Sequence, residues 1–228
     1  MVSEQTLLEG SWLALAQAGR LLHSAAKLLA AGEPSSAVAL SMFGREEMGR
    51  SRLLRVLSGE VNGGKSFSVD EVTQRCGNHV SKQGASALST TLRAHSYAQR
   101  NQLTDQAAAA KTKRQPQDRH DARCYSLYVD LKDSGNDWNR PMDTTDQYAR
   151  EHLDDAINDY ANEWDQLMFV GLTPAAKPNA RAQAMHAALK IMSRPVELLT
   201  VVELRTAMLS AKTCFLGKLF NRKSRPGY

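Results

Sequence analysis

The chain has 228 residues, 42% of them hydrophobic and 23% charged, with 29 Lys and Arg against 24 Asp and Glu. This is the balance of a globular chain long enough to bury a substantial core, and it excludes a disordered or fibrous protein. No apolar run approaches the roughly 20 residues needed to span a bilayer, and Cys76, Cys124 and Cys214 have neither disulfide-framework nor zinc-site spacing.

Along the chain the period is helical almost everywhere. A first helix is expected from about Glu4 to Ala31, with Leu8, Trp12, Leu15, Leu22, Ala26 and Leu29 as one apolar stripe. Gly32-Glu33-Pro34 closes it and opens a second helix, expected to reach Leu57, at the favoured proline position. A loop follows over Ser58 to Gly64. Ser68 and Glu71 then form a Ser-x-x-Glu capping box for a long third helix reaching about Ala110. From Lys111 to Pro141 the pattern breaks, around Pro116, Gly135 and a strand-like run Tyr125–Asp130. A fourth helix starts at Thr144 or Thr145 and ends near Phe169, with Tyr160, Trp164, Leu167 and Met168 as its anchor. Shorter helices are expected over Asn179–Met192 and Pro195–Phe220. The fold class is therefore an all-α bundle with one irregular insert over about 111–143 that includes a short strand or hairpin. Residues 1–170 form the main domain, 171–220 pack on it as C-terminal helices, and 221–228 are a basic tail.

The charge is distributed unevenly. Eleven acids lie between Asp130 and Asp165 against Lys132, Arg140 and Arg150. The preceding stretch carries Arg93, Arg100, Lys111, Lys113, Arg114, Arg119 and Arg123, and the last stretch carries five bases and no acid. Basic segments of this kind attract polyanions, RNA first among them in a cytoplasm. An acidic segment beside basic ones equally suits self-association or internal docking. The N-terminus, with Glu4 and Glu9, lacks the basic start of a signal peptide, so a reducing cytoplasm is the expected compartment.

The second helix carries Glu46-Glu47-Met48-Gly49-Arg50 among apolar residues. Arg45, Arg52 and Arg55 share one side, which is expected to face water, and both carboxylates then point toward packing surfaces. A buried carboxylate is costly unless paired, hydrogen-bonded or protonated, so another helix must answer it. Arg75, His79 and Lys82 fall at i, i+4 and i+7 of the expected third helix and supply candidates. An imidazole beside a carboxylate is a workable acid–base pair near neutral pH, and an adjacent cation can hold a phosphate. The bland alternative is a polar stripe in which His79 only satisfies a neighbour.

Three segments carry a family resemblance: ALSMFGREEMGRSRLL (39–54), NHVSK (78–82) and RCYSLYVDLKDSGNDWNRP (123–141). In this order and separation they resemble the AbiV family of bacterial abortive-infection proteins, a branch of the HEPN superfamily of helical domains. The resemblance covers roughly residues 11–165 and reaches Glu46, Glu47, Gly49, His79, Lys82, Arg123, Leu127, Tyr128, Val129, Asp130, Trp138 and Pro141. Arg50 stands where the family usually has Lys. The resemblance implies a HEPN-like bundle, a phage-defence role that stops growth or translation, a homodimer and a phage-encoded activator. HEPN relatives are commonly metal-independent ribonucleases with an Arg, then four to six residues, then His. That spacing occurs here at Arg181/His186 and Arg114/His120, as often as chance would place it, and Pro116 falls within the second.

Three hypotheses follow. In the first, a toxin-like ribonuclease uses Glu46, Glu47, His79 and Lys82 as catalytic groups, with Arg50, Arg75, Arg123, Tyr128 and Asp130 binding RNA. In the second, the same defence role is served without catalysis, by binding RNA, ribosomes or a phage protein through Lys111, Lys113 and Arg114. In the third, a minor alternative, Glu46, Glu47 and His79 hold a divalent metal, although the Glu-x-x-His spacing of di-iron bundles is absent. No cofactor and no membrane partner are expected. Tyr128 and Trp138 could stack on a base or pack the insert against the bundle.

Overall fold

A computed structural model describes residues 1–86, 105–132, 134–168 and 197–209, with 187, 188, 190 and 192. Side chains are described except over 105–115 and 164–168. The elements are α1 (Glu4–Ala31), α2 (Pro34–Asn62), α3 (Val69–Gly77), α4 (His79–Ser86), α5 (Asp105–Leu127), β1 (Asp130–Leu131), β2 (Trp138–Asn139), a 3-10 turn (Pro141–Asp143) and α6 (Asp146–Met168). A further helix, α7, covers 201–209. The chain is an all-α bundle with a small hairpin in its insert, as the periodicity predicts.

Local signals set the first two helices. Ser3 accepts the Thr6 N–H at the start of α1, and Gly32, at φ 86°, ends it in the left-handed conformation. Pro34 opens α2. The α1 stripe of Trp12, Leu15 and Leu22 packs with Val38 and Met48 of α2 and with Leu153, Ile157 and Tyr160 of α6 in the main core. A second cluster of Leu7, Leu54, Leu57, Phe67 and Cys76 closes the far end. Helix α2 runs five residues beyond the expected Leu57, since Gly59 lies within the helix.

The expected third helix is two helices. Ser68 and Glu71 complete the capping box of α3, but α3 stops at Gly77. Asn78 is extended at ψ 122° and its side chain accepts the Ser81 N–H, which starts α4 afresh. Arg75 and His79 therefore do not share a helix face. The expected stretch 87–104 of that helix lies outside the described residues.

The irregular part of the insert is also narrower than expected. Pro116 sits inside α5, which is helical from Asp105 to Leu127. Gly84 of α4 faces the proline ring, where even a methyl group would sit 3.7 Å away. Tyr125 to Leu127 end this helix, and the strand pairing lies later, with Asp130 opposite Asn139 and Leu131 opposite Trp138. The side chains of Lys111, Lys113, Arg114 and Trp164 lie outside the described residues, as does the pair Arg181/His186.

Thr200 and Glu203 cap α7 reciprocally, so this helix begins after Thr200 and not at Pro195. The Tyr160 hydroxyl ties the segment to α6 by donating to Leu199 O at 2.9 Å. No described helix is long and apolar enough to cross a membrane.

Candidate functional site

Helix α2 is held to its neighbours by buried charge as well as by apolar packing. Arg45 and Arg52 are buried and Arg55 is half-buried, against the expectation that this face meets water. The reason is the acidic segment. Asp159 lies 3.2 Å from Arg45 Nε and 2.8 Å from Arg119 Nη2. Glu163 pairs with Arg52 and lies 2.6 Å from Arg55 Nη2. Part of the one-signed charge thus docks internally. Burial pulls the Arg119 guanidinium down to about 9, with Arg45 adding to the effect and Asp159 opposing it.

The third buried carboxylate is Glu46, and it answers four side chains. His79 Nδ1 lies 2.6 Å from Oε2, and Lys82 Nζ lies 3.3 Å from the same oxygen. Arg123 Nη1 lies 3.3 Å from Oε1, and Gln83 Nε2 donates to Oε1 at 3.4 Å. Glu46 exposes only 3% of its side chain, and Lys82 4%. This concentration of positive partners is what lets a carboxylate stay buried between helices.

Helix α4 brings the partners without any apolar anchor of its own. Its buried side chains are Lys82, Gln83 and Ser86. Gln83 donates to Met42 O, Arg52 Nη1 donates to Ala85 O at 2.9 Å, and Arg119 Nη1 donates to Ser86 Oγ at 2.9 Å. Gly49 allows the approach, because a Cβ there would overlap the Lys82 carbonyl.

The imidazole of His79 is the accessible part, with 48% of its side chain exposed. The 2.6 Å contact fits an Nδ1–H donating to the carboxylate, which leaves the lone pair on Nε2. Arg123 Nη1 lies 3.2 Å from that Nδ1, and Nη2 lies 3.3 Å from Nδ1 of His120. The guanidinium also lies over the Phe43 ring, 5.7 Å from its centre. A general base with a free nitrogen and an orienting carboxylate are thus in one place, with the cations of Lys82 and Arg123 packed on that carboxylate.

The remaining expected residues are arranged differently. Glu47 turns to Arg50, 3.3 Å away, with 16% of its side chain exposed. Burial raises its carboxyl above the ordinary value, partly offset by Arg50 and Lys82. Arg75 lies over Phe67 and 3.6 Å from Glu60, away from Glu46. Tyr128 and Asp130 are exposed beyond the end of α5. Among the described residues no three His, Cys, Asp or Glu side chains are grouped to hold a metal ion, so Glu47 does not complete a ligand set with Glu46 and His79. Sequence reasoning passed over Gln83 and weighed His120 only as the partner of Arg114, not beside Arg123. Helical spacing could have found both: Gln83 lies four residues after His79, and His120 three before Arg123.

No curated protein and no solved structure matches the chain. A family model described as AbiV, the HEPN_AbiV model, matches residues 6–158. That stretch runs from α1 through the Glu46–His79 cluster into α6, and on it the chain belongs to the AbiV family of the HEPN superfamily.

Proposed function

We propose that this protein serves abortive-infection defence against phage, and that it does so in the cytoplasm as a homodimeric ribonuclease that arrests translation or growth. Membership of the AbiV family supports the defence role. The observation that carries the chemistry is the half-exposed His79 held through Nδ1 by the buried Glu46.

The reaction needs no external nucleophile. His79 Nε2 takes the proton of an RNA 2′-hydroxyl, and the 2′-oxygen attacks the adjacent phosphorus. The bond from phosphorus to the 5′-oxygen breaks, giving a 2′,3′-cyclic phosphate and a 5′-hydroxyl protonated from water, and the hydroxide left takes the proton back from His79. Glu46 fixes the ring and stabilises the imidazolium, as the carboxylate does in hydrolytic triads. Lys82 and Arg123, packed on Glu46, add positive potential where charge grows on the phosphoryl oxygens. Arg50 and Glu47 border this set.

The test is incubation with total bacterial RNA, in EDTA and in magnesium, beside His79→Ala. Cleavage in both buffers that the substitution abolishes is the expected result. Cleavage by the variant would remove His79 from the mechanism. Cleavage only with magnesium would make Glu46 a ligand, and binding without cleavage would leave a non-catalytic RNA-binding module.

A further inference from the structure

Gln83 of α4 is completely buried, and the two ends of its amide fare differently. Nε2 donates to Met42 O at 3.2 Å and to Glu46 Oε1 at 3.4 Å, so both amide hydrogens are spent on α2. Oε1 is buried without a donor among the described residues. Turning the amide over would set its oxygen against two acceptors, the Met42 carbonyl and the Glu46 carboxylate, so the surroundings select this orientation. An unsatisfied buried acceptor costs stability, and an apolar side chain of the same shape would avoid that cost. Packing alone therefore does not account for a glutamine here.

We infer that Gln83 is a positioning residue, a clamp on Glu46 Oε1 that turns Oε2 to His79, an inference that rests on the ribonuclease reading above. The terminal torsion of a glutamate is broad, so the rotation of its carboxylate must be fixed from outside. Oε2 is shared by His79 Nδ1 at 2.6 Å and Lys82 Nζ at 3.3 Å. On the other oxygen, Arg123 Nη1 lies 3.3 Å from Oε1 and 3.2 Å from His79 Nδ1, so its hold is divided. Gln83 is instead anchored on backbone, at Met42 O, one turn of α2 before Glu46. It carries no charge, so removing it leaves the charge of the cluster unchanged. Gln83 follows His79 by four residues, and the helix face that presents the base also presents the clamp.

Gln83→Met tests this, because methionine keeps an unbranched side chain and removes the donor. Met42 O keeps its partner within α2 and Glu46 Oε1 keeps Arg123, so neither acceptor is stranded. The expected result is a kcat for RNA cleavage lowered about tenfold with KM unchanged, and a melting temperature equal to the parent's or higher. Gln83→Leu, with a different apolar shape, should behave alike. NMR of isotope-labelled histidine gives a readout that needs no RNA. The ring-nitrogen signals, assigned to His79 by their loss in His79→Ala, should show the Nδ1–H tautomer in the parent and a mixture of tautomers in Gln83→Met. A melting temperature lowered in both variants would make Gln83 a structural residue and overturn the clamp. A parent that never cleaves RNA, with the tautomers mixed in Gln83→Met, keeps the clamp and loses the enzyme. A parent that cleaves, with kcat and tautomer both unmoved in Gln83→Met, keeps the enzyme and loses the clamp.

Discussion

Gly49 of α2 lies against Lys82 of α4 so closely that a methyl group at Gly49 would overlap the Lys82 carbonyl. The obstacle would be backbone, which cannot swing aside as a long side chain can. Gly49→Ala should therefore push α4 off α2, at a cost of about 3 kcal/mol, the upper end of the range for overpacked cores. It should also remove His79 and Lys82 from Glu46. Urea unfolding checks the first effect and RNA cleavage the second. Gly63→Ala is the control, since Gly63 has φ −79° and its nearest obstacle would be 3.4 Å away.

Glu46→Gln keeps the shape of the side chain and removes its charge. Lys82 and Arg123 would then be buried cations without their carboxylate, and His79 would lose the acceptor that fixes its Nδ1–H. Breaking a buried ion pair on one side costs about 3–5 kcal/mol. Activity should fall by about 100-fold or more, the scale of a lost acid–base arrangement. Glu47→Gln, by contrast, should lower activity far less, because Glu47 contacts Arg50 at the edge of the cluster. Equal losses in the two variants would contradict the central place given to Glu46.

Some of this arrangement could be read from the chain and some could not. The α1 stripe, the Pro34 start and the Ser68–Glu71 box are local signals, and they appear where the residues place them. The stop at Gly77 was equally local, since Gly followed by Asn is a helix end next to a helix start. A polar stripe that seemed to continue through Arg75, His79 and Lys82 obscured it. The buried face of Arg45, Arg52 and Arg55 is a different case. Periodicity ranks an arginine as solvent-facing whether or not a distant helix supplies Asp159 and Glu163, and only the packed structure brings the two together. The choice of Glu46 over Glu47 has the same origin. Adjacent carboxylates differ by about 100° around a helix, and α4 and α5 meet only one of them.

His152 gives the protein a defined sensitivity to acid. Burial, with a smaller contribution from Arg45, lowers its folded value to about 4 from an ordinary 6.5. Its ring packs edge-on to Tyr148, 4.3 Å between centres. Between pH 6.5 and 4 the unfolded chain binds a proton here that the folded chain refuses, so stability rises with pH through this window and is lost as the pH falls. After allowance for partial exposure the loss is about 1–2 kcal/mol. Thermal melts of His152→Gln and the parent at pH 7 and pH 4.5 should show a smaller acid-induced drop in the variant. An equal drop would assign the acid loss to the buried carboxylates instead.

Asn78 separates stability from function most sharply. Its side chain accepts the Ser81 N–H and begins α4 one residue before His79. Asn78→Ala removes that cap, worth about 1 kcal/mol, while leaving every side chain that touches Glu46 in place. Helix α4 has no buried apolar side chain to hold its first turn, so fraying there should reach His79 before it reaches Lys82 or Gln83. RNA cleavage is then expected to fall about tenfold or more, with the melting temperature moved by only a few degrees. Asn78→Asp or Asn78→Ser, which restore a capping oxygen, should recover the activity. A loss that neither restores would mean that His79 is placed by its bond to Glu46 alone, and that the break between α3 and α4 has no part in building the site.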